Sequence, residues 1–519
     1  MDPAESSTPC EGSTPALDIP MDNNHLYLHG RLDPGRDESL WGLESVDARE
    51  PEREPERELP RIDDNSLFST QNGKSSLAAL QSCSLTDAPL PAKPHQSYLV
   101  ALPSELIDHI LAFLNPTELA IISSICHILN DHAKSDINWF RHVQENVPGV
   151  QLTSPSPCKS YRDLYVSHDP YWFLSKYKIW FCDYFLTGKI IIARYDARRG
   201  CLEGYRLVAE RPAPAFEPWE VDDEVVIHSF TPKCRLHLDK PVVHLDALSP
   251  ESQVSSKSRS VHHFNVETTM QSNERNGVFS NFLLARAVQE HPSMQLWPPP
   301  HIPALQRVRT ASQEAFIGSG HKPQKLSEVS TQAFRIRRWM EMTSQNGPSV
   351  HLGEEVYTYA TLDPKLYTPT EEKPYRGIWV GDFSGHGCEF LLVNQPDSEP
   401  FDEASVVQKD DETAEEWELR KKEEMIYRGS LEAIKLTGDP NVPRGEYTFI
   451  SDDIGEDGFI RTATEARFNG ARIVKSRGHV AARMFRDAQY WVGFGHISFF
   501  ERVDIDQFLS PSNDPVNKT

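Results

Sequence analysis

Positive charge is scarce in this chain. Its 519 residues carry 53 Lys and Arg against 76 Asp and Glu, a formal net charge of -23, so the electrostatic footprint of a general nucleic-acid binder is missing. Cysteine is sparse as well. The eight cysteines (Cys10, Cys83, Cys126, Cys158, Cys182, Cys201, Cys234, Cys388) include no CxxC pair, which excludes a zinc ribbon and predicts reduced thiols in a cytoplasmic or nuclear protein. No uncharged apolar run approaches the ~20 residues of a membrane span, and the opening MDPAESSTPC has no signal-peptide core; neither a membrane nor a nucleic acid is an expected partner. P-loop, Rossmann, HExxH and GxSxG patterns are also lacking. The chain is therefore read as non-catalytic, with no metal and no cofactor.

What it has in quantity is proline, 39 residues, with a mean hydropathy of -0.51, a composition that leaves long stretches unable to bury enough apolar surface to become ordered. Residues 1–97, which include REPEREPERE, read as a disordered arm. A helical unit occupies 98–149, and a connecting strap 150–170. A strand-rich domain spans 171–509, with flexible insertions near 248–277 and 396–425, and 510–519 reads as a disordered tail. Between 397 and 424, twelve acidic residues face four basic ones, which predicts a solvated loop or an exposed helix.

The helical unit is the most informative stretch. Leu106, Ile107, Ile110, Leu111 and Leu114 recur at helical spacing behind Pro103. Asn115 and Pro116 form a cap and first-turn pair for a second helix, whose Leu119, Ile122, Cys126 and Leu129 share a face. A third helix starts near Ser135, carries Ile137, Trp139, Phe140 and Val143, and stops before Pro148-Gly149. Each buried Leu or Ile is worth about 1.5–3 kcal/mol, and so small a unit cannot bury them all. A partner protein is expected to cover the remainder.

This pattern resembles the F-box, the module that attaches a substrate receptor to the Skp adaptor of a cullin-RING ubiquitin ligase. The resemblance implies adaptor binding by Leu102, Pro103, Leu106, Ile107, Ile110, Leu111, Leu114, Pro116, Leu119, Ile122, Cys126 and Trp139.

Beyond the strap, SYRDLYVSHDPYWFLSKYKIWFCDYF (160–185) is dense in aromatics and should be buried. Short alternating segments come next. GKIIIARYD, the turn Ala197-Arg198-Arg199-Gly200 and CLEGYRLVAE read as a hairpin; EVVIHSF, CRLHLD, PVVHLD, EVYTYATL, YRGIWVGDF, GCEFLLVN, GSLEAIKLTG and GEYTFIS read as further strands. ARIVKSRGHVAARMF and QYWVGFGHISFFERV flank a turn at Arg486-Asp487-Ala488, while TQAFRIRRWMEM (331–342) has helical spacing. The expected fold is thus α+β: a small all-α F-box followed by a mainly antiparallel, lipocalin-like β-barrel.

Two chemical groupings stand out in this domain. Cys234, His237 and His244 have partial zinc-ligand spacing but lack a fourth ligand, and strand alternation already accounts for their placement. Between 461 and 486, Arg461, Arg467, Arg472, Lys475, Arg477, Arg483 and Arg486 face only Glu465. Arg472, Lys475, Arg477 and Arg483 from this strip are candidates for holding an acidic or phosphorylated degron. The competing readings are a solubilising outer face and pairing with the acidic 396–425 segment. Trp379, Trp491 and Phe494 are candidates for an aromatic rim that reads a hydrophobic tail.

The runs MQLWPPPHIPA, YRGIWVGDFSGHGCEFLLVN, GHVAARMF and GHISFFERVDID resemble the receptor domain of the F-box only protein thirty-one family. That resemblance implies a barrel that recruits protein substrates through short C-terminal tails such as that of a D-type cyclin. The function expected is the substrate-recognition subunit of a Skp, cullin and F-box ligase. The alternative is a barrel that binds a small ligand or acts as an enzyme, with an F-box that only controls its own turnover.

Overall fold

A computed structural model describes residues 25–31, 97–210, 215–229, 232–247, 265–270, 278–286, 296–302, 304–309, 322–342, 350–382, 387–397, 401–439, 442–481, 484–487 and 495–514. The first helices are α1 (Ser104–Leu111), α2 (Pro116–Ile122), α3 (His127–Ala133) and α4 (Asp136–Glu145). The expected Asn115-Pro116 start is present: the Asn115 side chain accepts the Glu118 N–H at 2.9 Å, and the Asn115 N–H donates to Glu118 Oε2 at 2.9 Å. The helix predicted to run on to Leu129 is split into α2 and α3. Ser123 and Ser124 turn their hydroxyls onto the carbonyls of Ala120 and Ile121, at 2.7 and 2.6 Å, and Cys126 takes an extended conformation as the cap of α3.

The aromatic strap forms α5 (Tyr161–His168) and α6 (Phe173–Tyr177) and splices α4 to the strands beyond it. Asp136 Oδ1 accepts the Tyr161 N–H at 2.9 Å, Phe140 meets Tyr161 edge-on, and Trp139 packs on Tyr165, which stacks in turn on Trp172. Ser175 Oγ donates to the Asn146 carbonyl at 2.6 Å. The far end of the chain returns to the same place. Leu509 lies against Gly149, where a Cβ would stand 2.9 Å from it, and Asp514 accepts from the buried Arg194 guanidinium.

Among the described residues the strands make two large sheets and two two-stranded ones, Leu296–Trp297 with Val308–Arg309 and Phe459–Thr462 with Arg472–Val474. In the first, Lys233–Leu236, Cys201–Glu210, Lys189–Asp196, Ile179–Cys182, Val350–Ala360, Val329–Met342, Val278–Arg286 and Glu267–Thr269 lie in that spatial order, and Val243–Asp246 also pairs with the start of Cys201–Glu210. In the second the order is Met484–Asp487, Arg477–Ala481, Tyr447–Ser451, Leu431–Lys435, Cys388–Asn394, Gly377–Asp382, Gly495–Arg502, Asp222–Ser229 and Ala215–Trp219, and His25–Arg31 also pairs with Gly495–Arg502. Ladders are antiparallel except that of Gly495–Ile497 with Val225–Ile227. Gly381 sits opposite Phe500, where a Cβ would come within 2.3 Å of the ring, so glycine is required for the two strands to meet.

One core fills the space between the sheets. Ile179, Phe181, Ile190 and Ile192 enter it from the first, and Ile378, Val380, Phe390, Leu392 and Ile434 from the second. Trp180 points the other way. Its Nε1–H donates to the Leu174 carbonyl at 3.0 Å and its ring meets Phe173 and Phe334. The first sheet is therefore buried on both faces, by the second sheet and by the strap helices, which is why the 160–185 run is so aromatic.

Several expectations are corrected. Among the described residues the strands form two large open sheets and two short hairpins, not a closed barrel: turn-marked alternation specifies antiparallel neighbours, whereas closure depends on tilt and stagger summed around a whole sheet. TQAFRIRRWMEM is strand, not helix, because Ala333, Phe334, Arg335 and Ile336 are all buried between two neighbours, and burial of both faces erases the two-residue period. The hairpin expected around 486–488 is instead Arg477–Ala481 folded onto Met484–Asp487. Strands also occur in two regions read as unstructured, at Glu267–Thr269 and His25–Arg31. The acidic segment ends in an exposed helix, α7 (Ala414–Ile426), which opens with a capping box formed by Thr413 and Glu416. No helix among the described residues is long and apolar enough to cross a membrane.

Candidate functional site

The twelve residues expected to bind an adaptor divide into two sets. Ile107, Leu111, Leu119 and Trp139 are at most 3% exposed; they hold the helices together and offer nothing to a partner. Trp139 also donates its Nε1–H to the Ala133 carbonyl at 2.7 Å. Leu102, Leu106 and Ile110 are 37–49% exposed, Pro103 and Cys126 are exposed, and Leu114, Pro116 and Ile122 are half-buried. Sequence reasoning missed the larger exposed side chains, Phe113, Ile121, Ile125, Ile128 and Ile137, which are 48–76% exposed. Their signal was present as apolar residues off the main helical stripe, and a motif that scores the stripe overlooks them.

The second candidate region is less open than its charge implied. Arg472 donates to the carbonyls of Ile454 and Gly455 at 3.1 and 3.0 Å, and its guanidinium lies over the rings of Tyr427 and Phe459. Lys475 reaches the Asp457 carbonyl, Arg477 pairs with Asp452, Arg461 with Glu465 and Arg467 with Glu217. The strip is thus largely held by its own neighbours, and these partners lie outside the 396–425 segment. Trp379 is fully buried and donates to the Tyr375 carbonyl at 3.0 Å, so it belongs to the packing behind the second sheet and not to a rim. Arg483, Trp491 and Phe494 lie outside the described residues, and the side chain of Arg486 is not described.

The second sheet also holds an ion cluster the sequence did not announce. Lys435, fully buried, donates to Glu389 Oε1 at 2.7 Å and to Asp439 Oδ2 at 2.9 Å. Burial lifts the Glu389 carboxyl to about 8 against the pull of Lys435. Burial also acts to raise Asp439, but hydrogen bonds from Glu389 and Lys435 outweigh it and hold that carboxyl well below the usual range. One proton and one ammonium are thereby shared between two carboxylates.

Cys234, His237 and His244 do not come together as a ligand set. Cys234 is half-buried, and His237 is paired with Asp239 at 3.5 Å. Among the described residues, His244 instead groups with Cys201 and Asp246, their potential ligand atoms all within 4.8 Å of one another.

Two family comparisons bear on these regions. Residues 99–141 match the F-box domain family, and residues 359–507 match the Cyclin D1 binding domain family. No curated protein matches the chain. Residues 99–141 are thus similar to the F-box, a domain that binds Skp1 within cullin-RING ligases and is typical of non-catalytic ligase subunits.

Proposed function

We propose that this chain is the substrate-recognition subunit of a Skp, cullin and F-box ubiquitin ligase. The observation that carries the reading is the set of exposed apolar side chains on α1 to α4, in a segment that matches the F-box. Water is a poor neighbour for so many large aliphatic groups, and an adaptor helix would cover them. The two-sheet domain then acts as receptor for a protein target, a D-type cyclin or a protein with a similar tail, as its likeness to the Cyclin D1 binding domain family over 359–507 supports. The narrower likeness to the F-box only protein thirty-one family belongs to the same proposal.

In this reading the chain breaks and forms no covalent bond. It holds the target beside a charged ubiquitin-conjugating enzyme, and the high local concentration of a target lysine supplies the rate. Of the described members of the basic strip, Arg461, Arg467 and Lys475 are exposed, the first two paired with Glu465 and Glu217. An acidic degron that used Arg477 would first have to displace Asp452 from it.

Affinity purification with and without proteasome inhibition, read by mass spectrometry, tests the whole proposal. Adaptor and cullin peptides are expected in both samples, and a cyclin-like target enriched only under inhibition. A chain that brings down neither adaptor nor cullin is not a ligase subunit; one that brings down both but has no target stabilised by the inhibitor is not a receptor.

A further inference from the structure

Outside the proposed binding surfaces, the start of the Cys201–Glu210 strand is the most chemically loaded place in the molecule. Cys201 lies directly opposite Asp246 across the antiparallel ladder, and His244, two residues before Asp246, projects on the same face. His244 Nε2 stands 3.1 Å from Asp246 Oδ1. Cys201 is fully buried and His244 is 8% exposed, while the Asp246 carboxylate opens to solvent.

The polar atoms here are under-satisfied. His244 Nδ1 is buried without a hydrogen-bond partner. At the end of α5, His168 is 1% exposed; its ring approaches the Gly200 backbone, yet neither nitrogen has an aligned partner. Buried imidazole nitrogens left this way are unfavourable unless something occupies them.

Charge nearby is balanced in a way that leaves Asp246 over. Arg194, Arg198 and Arg199 are taken up by Asp196, Glu203 and Asp514, and among the described residues Asp246 is paired with His244. A thiol, an imidazole and a carboxylate at this spacing fit a tetrahedral ion with bonds of about 2.0–2.3 Å after small side-chain adjustments. Thiolate plus imidazole selects zinc-class ions over magnesium or calcium.

We propose that Cys201 Sγ, His244 and Asp246 form a binding site for a zinc-class divalent ion, with water in the fourth position. Binding takes the Cys201 proton into solvent and leaves the thiolate on the metal. The ion would clasp the Val243–Asp246 strand to the Cys201–Glu210 strand beside the end of α5, and this holds whatever the target of the receptor.

The experiment uses the full chain, tag-free and in complex with its adaptor if that is needed for purification. Metal content is read by mass spectrometry after incubation with zinc and desalting, and cobalt(II) is titrated with absorbance as readout. Wild type is expected to hold about one ion per chain and to show a near-ultraviolet thiolate-to-cobalt band with intense visible bands of a four-coordinate ion. Cys201→Ser should lose the band. Asp246→Asn, at an exposed position that leaves the fold unchanged by circular dichroism, should weaken zinc binding roughly tenfold or more. Cys158→Ser and His237→Ala should leave both readouts intact. A wild type without the cobalt–thiolate band, or a band that survives in Cys201→Ser, overturns the assignment. The wild-type spectrum does not depend on any variant folding.

Discussion

Replacing Leu106 and Ile110 together by Ser separates binding from folding in the F-box. The two side chains are one helical turn apart on α1 and are 49% and 42% exposed. Complete burial of such side chains is worth about 1.5–3 kcal/mol each. The exposed half that a partner could cover is thus worth roughly 1 kcal/mol per residue, or about 2 kcal/mol for the pair, and the adaptor should bind roughly 30-fold more weakly. The matching control is Leu119→Ala. Leu119 is fully buried, and its truncation should cost about 2–5 kcal/mol of folding stability by leaving a cavity. Calorimetric titration with purified adaptor, paired with thermal melts, resolves the two effects: the double variant should lose affinity at an unchanged melting temperature, and Leu119→Ala should lose melting temperature first. Wild-type affinity in the double variant would refute the assignment of this face to the adaptor.

Buried charge and the splice between domains give further expected outcomes. Arg194→Ala strips the fully buried Glu203 of a partner at 2.8 Å and should cost about 3–5 kcal/mol in urea unfolding; a cost below 1 kcal/mol would mean Glu203 is solvated. Glu389 holds its proton more tightly folded than unfolded, so its contribution to stability is complete below 4.5 and is lost as pH rises toward about 8. In that window each pH unit removes on the order of 1 kcal/mol, and Glu389→Gln should flatten the slope of melting temperature against pH; an identical slope would place the titration elsewhere. Arg472→Ala should lower stability by about 1–3 kcal/mol, because two carbonyls and two rings lose the guanidinium, while Lys475→Ser should leave the melt unchanged. A flexible Gly-Ser spacer inserted after Leu152 should widen the set of target lysines modified in a reconstituted reaction, as mapped by mass spectrometry; an unchanged set would show that the splice does not fix the receptor's position.

Local chemistry was legible where local chemistry decides. The Asn115-Pro116 cap, the hairpin of Lys189–Asp196 with Cys201–Glu210 and the pairing of Gly377–Asp382 with Cys388–Asn394 all arise from residues next to one another. The sequence reading failed where a distant neighbour sets the outcome. Val329–Met342 has helical spacing only because both its faces are buried, and the two open sheets depend on stagger that no short window contains. The candidate site divides the same way. Apolar character marked the F-box helices, but which of those side chains face solvent depends on how four helices pack. A row of arginines could be counted, yet their engagement by Asp452, Glu465, Glu217 and backbone carbonyls became visible only in three dimensions. Cys201 and Asp246 lie 45 positions apart, and only the ladder brings them face to face.

On the proposed function, the union of α4, the strap helices and the returning C-terminal segment would set the reach of an attached ligase. With Trp139, Tyr165 and Trp172 packed in sequence, Ser175 bonded to Asn146 and Leu509 lodged against Gly149, α4 and the first sheet share one piece of packed protein, although the link 150–160 itself is irregular and largely exposed. A target gripped by the receptor would then be carried at a fixed bearing from the adaptor. Its lysines would be sorted by where they fall along that bearing, so the stiffness of a few aromatic rings, far from any ubiquitin, would decide which residues are marked.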